Sequence, residues 1–296
     1  MSGQDFFVNR YHKLEWEYTP VKLTQAIRVN TANAKRENLE QRLKPRGIEL
    51  KKIPFLNNGF WVHKSKVSVG ATSEYLLGLY SIQEAAAQIP AALFSDLRGK
   101  TVLDACAAPG GKTVQLADLM KNIGAIVALD IDRQRLTALS NHLERCSVKN
   151  TIVYKMDARH ASRLQIKFDR ILLDVPCSGN FATDGQWFNR RTIEDVERNA
   201  ELQREILAEA VSVVKDDGEI VYSTCSLEPE EDELNIDWAI KNLDLRTESL
   251  NISYGEKGLT NVFGKKLDSS VENCTRIWPE QTQGFFVCKL VRRSDA

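Results

Sequence analysis

The 296-residue chain contains no uncharged apolar run approaching the ~18 residues that span a bilayer, which excludes a transmembrane helix. Its first residues, Met1-Ser2-Gly3-Gln4-Asp5, lack the basic-then-apolar form of a signal peptide, so a cytoplasmic protein is expected. Six cysteines, at 106, 146, 177, 225, 274 and 288, are too sparse for a disulfide scaffold and include no Cys-x-x-Cys pair. Reduced thiols are expected. The four histidines, at 12, 63, 142 and 160, show neither His-Glu-x-x-His nor finger-like spacing, so no metal site is expected. There is no internal repeat and no low-complexity linker.

Net charge is also lacking, yet it is unevenly spread. Residues 1–70 carry 13 basic and 6 acidic side chains, an excess of seven positive charges that the remainder cancels. A basic front on a mildly acidic body suits a partner that carries phosphates, although a solvated lysine-rich surface has the same composition. With 43% hydrophobic and 27% charged residues, the chain can build one large core and an accessory domain.

From about residue 101, short apolar runs alternate with amphipathic stretches. Thr101–Asp104, Ala125–Asp130, Thr151–Tyr154, Phe168–Asp174 and Glu219–Tyr222 predict strands of a parallel sheet. Lys112–Asn122, Arg133–Cys146, Thr192–Val214 and Pro229–Leu243 predict helices, which places the chain in the α/β class. Residues 23–70 read differently. Strand-like Ala26–Asn30, Gly47–Leu50 and Gly59–His63 surround a helix at Arg36–Leu43, a small α+β unit too short for a nucleotide-binding sheet. A late run, Gly284–Leu290, predicts an antiparallel strand at or near the sheet edge. The division expected is a basic α+β domain over 1–75 and a catalytic domain over 76–296.

Pro109-Gly110-Gly111-Lys112-Thr113 follows a strand and opens a helix, where glycines let backbone N–H groups approach a ligand closely. A phosphate-binding P-loop would need glycine at position 106, which is Cys106, and the dinucleotide pattern Gly-x-Gly-x-x-Gly is absent. What remains fits S-adenosylmethionine. Asp130 ends the next strand, where a carboxylate can accept both ribose hydroxyls, and Asp157 lies beyond the third strand, toward an adenine amino group. Taken singly, each Asp also suits a turn or a helix cap; three strand-end acids in order, 130, 157 and 174, are the signal.

A buried cysteine is most often a packing residue, and Cys106, Cys146, Cys274 and Cys288 are assigned to that class, with Cys106 near enough to the loop to touch a cofactor. Cys177 and Cys225 differ. Each closes an apolar strand at the presumed catalytic edge, in Asp174-Val175-Pro176-Cys177-Ser178-Gly179 and Tyr222-Ser223-Thr224-Cys225-Ser226. A thiol exposed at such a turn suits nucleophilic catalysis.

At these residues the chain resembles the S-adenosylmethionine-dependent RNA (cytosine-5) methyltransferases of the Sun/Fmu group. The resemblance runs from Ile27-Arg28-Val29-Asn30-Thr31 through Asp104–Thr113 and both cysteine motifs to Gly284-Phe285-Phe286. It implies a Rossmann-like methyltransferase sheet with helices on both faces behind an RRM-like front domain. It also implies that Cys106, Ala107, Ala108, Pro109, Gly110, Gly111 and Lys112 hold the cofactor, with Arg135 close by, Asp130 on its ribose, Asp157 near its adenine and Asp174 at the floor. Cys225 would attack carbon 6 of cytosine, Cys177 would assist product release, and Lys112 would reach the active site.

Some positions depart from the family pattern. Val175 replaces an alanine before Pro-Cys, and Asn180–Phe188 lacks a basic pair, for which Arg190 and Arg191 can compensate. Pro279-Glu280 lacks a histidine. Substrate recognition then falls largely to residues 1–70, with Arg28, Lys35, Arg36, Arg42, Lys44, Arg46, Lys51 and Lys52 as candidate phosphate contacts. The compact chain points to a monomer acting on transfer RNA, with ribosomal RNA as the second substrate class. A non-catalytic RNA-binding assembly factor and a small-molecule methyltransferase are the alternatives from other classes.

Overall fold

In the computed structural model, which describes residues 2–293, an antiparallel sheet precedes the parallel one. Helix α1 (Gly3–Lys13) starts at a capping box between Ser2 and Asp5. The succession β1 (Ala26–Val29), α2 (Arg36–Leu43), β2 (Ile48–Lys52), β3 (Gly59–Ser65), α3 (Ser73–Leu76) and β4 (Tyr80–Ile82) then gives a sheet of order β2-β3-β1-β4. This is the split βαβ arrangement of an RRM-like unit. The chain leaves α2 for β2 through Gly47 at φ +73°, a left-handed turn that glycine makes without a Cβ clash.

Strand alternation decides what each sheet face does. Ile27, Val29, Phe60 and Tyr80 pack on Leu39 and Leu43 of α2. Ala26 and Trp61 point the other way, into a core shared with Ile89, Val102 and Leu116 of the larger body. The centre of the sheet, where an RRM would stack bases, is therefore closed on both sides. This corrects one expected phosphate contact. Arg28 is 2% exposed, its Nε donates to Gln83 Oε1 at 2.8 Å, and its guanidinium lies 3.6 Å from Asp118 Oδ2. Asp118 also accepts from Thr31 N, Thr31 Oγ1 and Ala32 N at 2.8–2.9 Å. A side chain in mid-strand on the docked face cannot reach a solvent phosphate; Arg28 fastens the two bodies together. Strand β4 also carries the front sheet past residue 75 to Ile82.

The larger body comprises α4 (Ile89–Ala92), β5 (Thr101–Asp104), α5 (Gly111–Leu119), β6 (Ala125–Asp130), α6 (Arg133–Arg145), β7 (Thr151–Lys155) and β8 (Phe168–Asp174). It continues with α7 (Trp187–Arg190), α8 (Ile193–Val213), β9 (Val214–Thr224), α9 (Glu233–Asn242) and β10 (Leu245–Glu248). Short strands β11 (Glu256–Lys257), β12 (Asn261–Val262), β13 (Lys265–Lys266) and β14 (Thr275–Ile277) precede β15 (Phe285–Arg292). The main sheet runs β11-β14-β15-β9-β8-β5-β6-β7, parallel from β9 to β7. Chain order reverses between β5 and β8, the switch point at whose carboxyl ends an open α/β sheet binds its ligand.

The late strand forms antiparallel to β9, inside the edge and not at it, because β10 and β14 pair along its outer side and β11 lies beyond β14. Two helix limits also move. Val214 opens β9 instead of ending α8, and α9 starts at Glu233, four residues after Pro229, behind a turn in which the Glu231 and Asp232 carboxylates are buried and accept hydrogen bonds from Gln203 and Thr224. Cys146, Cys274 and Cys288 are at most 2% exposed and pack in apolar clusters. Among the described residues no helix is long and apolar enough to cross a membrane, and no group of three or more His, Cys, Asp or Glu could hold a metal ion.

Arg28→Met keeps the packing but strips Asp118 of its cation. We expect a loss of about 3–5 kcal/mol of stability, measured by urea unfolding.

Candidate active site

Strand β5 ends at Asp104, and the chain turns through Ala105–Gly110 into α5. Gly110 caps that helix at φ +100°, a conformation that requires glycine, and a Cβ there would also press on Leu139 Cδ1 at 2.7 Å. The turn encloses a cavity of about 180 Å³. Cys106, Ala107, Ala108, Pro109, Gly111, Lys112 and Asp174 line it, while Gly110 shapes the turn behind them.

Four further wall residues were not among the expected site residues: Asp104, Ile82 and Gln83 from the end of the front sheet, and Ala87. Asp104 is 1% exposed; its Oδ2 accepts from Thr113 Oγ1 at 2.7 Å, and its Oδ1 has no partner. Burial raises its pKa to about 7. The signal was its place as the last residue of β5, the same place that singles out Asp130 on β6.

Asp130 accepts from Ala108 N at 3.3 Å and Asp132 N at 2.9 Å, and Arg135 lies 3.4 Å from it while also donating to Ala108 O. The pair therefore braces the loop from the end of β6. Asp157 stands just past β7, where it caps a short 3-10 turn through Arg159 N at 3.0 Å and pairs with the Arg159 side chain at 2.7 Å. Hydrogen bonds from Arg159 hold its carboxyl below the usual range. Asp130, Arg135 and Asp157 flank the cavity along the ends of β6 and β7; they are not among its lining residues.

At the end of β8, Asp174 receives Lys112 Nζ at 2.7 Å on one oxygen and Ser223 Oγ at 3.0 Å on the other. Lys112 Nζ also lies 5.6 Å from the centre of the Phe285 ring. Cys177 follows β8 by three residues and Cys225 follows β9 directly. Asp174 stands opposite Ser223 across these parallel neighbours, which brings the two free thiols to a sulfur–sulfur distance of 3.1 Å. The contact with Cys225 and burial push the Cys177 thiol well above the ordinary range, so Cys177 keeps its proton beside the Cys225 sulfur.

Beneath the thiols lies an acidic run, most of it within the opening of the helix expected over Pro229–Leu243. Glu228, Glu231, Asp232 and Glu233 are all fully buried. At the surface, Arg191 Nε donates to Ser178 O at 3.1 Å, beside the Cys177 loop, and Arg190 lies 3.4 Å from Asp184. Lys35, Lys44, Lys51 and Lys52 are exposed on the front unit, and Arg36 is half-buried and donates to Asn57 O at 2.6 Å. Arg42 and Arg46 share Glu74, at 3.5 and 2.8 Å.

A doubly wound sheet with an acid-walled cavity at its switch point is the framework of a Rossmann-like methyltransferase. Within that class the chain belongs to the family described as 16S rRNA methyltransferase RsmB/F, which matches residues 92–291; residues 5–85 match the N-terminal domain of 16S rRNA methyltransferase RsmF. It is 35% identical to the 28S rRNA (cytosine-C(5))-methyltransferase of Mus musculus over 96% of this chain and 37% of that protein. With the tRNA (cytosine(49)-C(5))-methyltransferase of Pyrococcus abyssi it shares 32% identity over 96% of this chain and 94% of that one. The chain thus spans about a third of the length of its mammalian relatives, 37% of the mouse protein and 34% of the human one. A methyltransferase homolog from Pyrococcus horikoshii superposes with a TM-score of 0.86 at 37% identity, covering 97% of this chain and 95% of that one.

S-adenosylmethionine is the cofactor of such a protein, and the residues present fit it. The partnerless Oδ1 of Asp104 is an acceptor suited to an ammonium group, and the small side chains of the 106–111 turn leave room beside it.

For Asp104 the folded-state pKa of about 7 lies above the unfolded 3.8, so its ionisation makes the fold less stable as pH rises between those values. Asp104→Asn should remove that slope and raise stability at pH 8 by about 4 kcal/mol. It should also weaken S-adenosylmethionine binding about tenfold, since a charge-assisted hydrogen bond is lost. Denaturation across pH and isothermal titration check the two halves.

Proposed function

We propose that this chain is an RNA methyltransferase that transfers a methyl group from S-adenosylmethionine to carbon 5 of cytosine, working as a monomer through a covalent bond to Cys225. The observation that carries the reading is the pair of thiols 3.1 Å apart on the strand ends that also carry Asp174, which with Lys112 lines the cofactor cavity. Carbon 5 of cytosine is too weak a nucleophile to react unaided. Attack of the Cys225 thiolate on carbon 6 moves the ring electrons toward N3, where the proton shared between Lys112 and Asp174 can neutralise them. The cofactor supplies an electrophilic methyl group, which carbon 5 of the resulting enamine accepts. N3 returns its proton to the Lys112–Asp174 pair, water takes the carbon-5 proton, the electron pair left behind forms the C5–C6 double bond, and the carbon–sulfur bond breaks with its electron pair going back to Cys225. Cys177, held as a thiol, donates a hydrogen bond to that departing thiolate. A base stacked in a duplex hides both carbons, so the target is unpaired or flipped out.

Transfer RNA is the substrate class we favour, because the Pyrococcus abyssi tRNA enzyme matches this chain along nearly its whole length. Ribosomal RNA is the second reading, favoured by the RsmB/F family match and the mouse relative. Bisulfite sequencing of total RNA from cells with and without the protein separates them, and a protein that left every cytosine unchanged would be the non-catalytic assembly factor. RNA is held, on this reading, by the exposed front-unit lysines and by the Arg190–Arg191 edge. The front unit and the body that follows it act as two domains.

Cys225→Ala should abolish methyl transfer, whereas Cys177→Ala should trap a covalent protein–RNA species that survives denaturing electrophoresis. An adduct formed only when position 225 is alanine would reverse the roles. Replacing Lys44, Lys51 and Lys52 together by alanine should lower the slope of log K against log salt by about two to three, measured by RNA-binding titrations.

A further inference from the structure

Strand pairing alone does not set the sulfur–sulfur distance. Val175 N donates to Ser223 O at 3.2 Å, and beyond that point no backbone hydrogen bond among the described residues joins the Cys177 segment to the Cys225 segment. Side chains take over. Asn180 Nδ2 donates to Cys225 O at 2.7 Å, and the largest share of the work falls to one buried carboxylate.

We propose that Glu231 is a positioning residue that clamps the two cysteine turns together by accepting hydrogen bonds from the residue that follows each thiol. Ser178 N donates to Glu231 Oε2 at 3.0 Å and to Oε1 at 3.2 Å, and Ser226 Oγ donates to Oε1 at 3.2 Å. The two serine hydroxyls also meet at 3.1 Å. Gln203 Nε2 completes the ring, donating to Glu231 Oε2 at 2.7 Å and to Pro176 O at 2.8 Å, so the residue before Cys177 is tied to the same carboxylate. Tyr222 OH holds the backbone of Glu231 through its carbonyl at 2.7 Å.

Glu231 is fully buried, and among the described residues it forms no ion pair; hydrogen-bond donors alone satisfy it. A carboxylate accepts at both oxygens. An amide in its place must turn an N–H group toward Ser178 N–H, Ser226 Oγ or Gln203 Nε2, and where it meets an N–H two donors face each other. The turns then part, and the Cys177 thiol loses its aim at Cys225. The consequence for turnover rests on the covalent mechanism proposed above; the consequence for the distance between the sulfurs does not.

The test is therefore read in two arms on Glu231→Gln and wild-type protein. In the first, phenylarsine oxide bridges the two thiols: two arsenic–sulfur bonds form, and the two thiol protons leave with the arsenic oxygen as water. The variant should bind the reagent about tenfold more weakly, as when a group that orients ligands is removed. Equal affinity overturns the clamp. In the second, a methylation assay with unmodified transfer RNA transcript should show kcat down about tenfold, KM for S-adenosylmethionine unchanged, and a longer-lived covalent adduct. A fall in kcat with adduct lifetime unchanged overturns the positioning role. Should the variant not fold, Ser226→Ala removes a single donor, and it should weaken phenylarsine oxide binding in the same direction by a smaller factor; wild-type affinity there overturns the clamp. A wild-type protein that methylates no RNA refutes the proposed function, while the arsenical arm still decides the clamp.

Discussion

The pairing of β8 with β9 is the constraint on which the rest of the catalytic edge depends. Parallel neighbours in register put Asp174 opposite Ser223, and the chains that run on from them carry Cys177 and Cys225. A slip of one residue would turn every side chain of one strand to the other face of the sheet. The buried apolar runs on both strands, Ile171–Leu173 and Ile220–Tyr222, oppose such a slip because each face meets its own helical layer. Sheet packing thus aligns the strand ends, and polar side chains adjust what lies beyond them.

Those polar side chains create an electrostatic problem that organises distant parts of the chain. Buried carboxylates are costly unless a cation or several donors face them. Arg276 of β14 lies 3.1 Å from Asp232 Oδ2 and donates through Nε to Glu233 Oε1 at 2.8 Å. Arg10 of α1 reaches Glu228 at 3.0 Å and Glu230 at 2.7 Å. Beneath the thiols, one arginine from the first helix and one from near the end of the chain thus pair with Glu228, Asp232 and Glu233, while hydrogen-bond donors alone hold Glu231. This accounts for the position of α1, which leaves the front unit to pack Phe7 against Trp187 at 4.6 Å.

What the sequence makes legible follows from this division. The parallel strands, the Gly110–Gly111 turn and helix α8 are readable because period, turn chemistry and caps are local. The meeting of Cys177 with Cys225 is readable because strand ends converge on one edge. Arg28 is not: beside Val29 and Asn30 it looks like any basic residue of a charged segment, and only the docking of its sheet face turns it into a buried tether. Glu231 escapes for the same reason, since its partners Ser178 and Gln203 lie far along the chain. Strands β10–β14, two to four residues each, are too short to leave a period. Arg135 and Asp157 are legible as polar groups near the cavity, but their hydrogen bonds to the loop and to Arg159 emerge only in three dimensions.

The tether at Arg28 also bears on how the front unit and the cavity act together. Arg28 grips Gln83; Gln83 donates to Gln115 Oε1 of α5 at 3.1 Å and itself forms part of the cofactor cavity wall. Glu84, the next residue, accepts from Ala86 N at 2.8 Å and from Gln283 N at 3.1 Å, just before β15. The turn that ends the front sheet is thus fixed to α5 on one side and to the approach of β15 on the other. A front unit held in this way is not a swinging arm. Its basic surface and the cavity keep one relative geometry, so on the function proposed above the distance from an RNA backbone on that surface to the thiols is set by the fold before any substrate arrives, and less ordering is left to be done on binding.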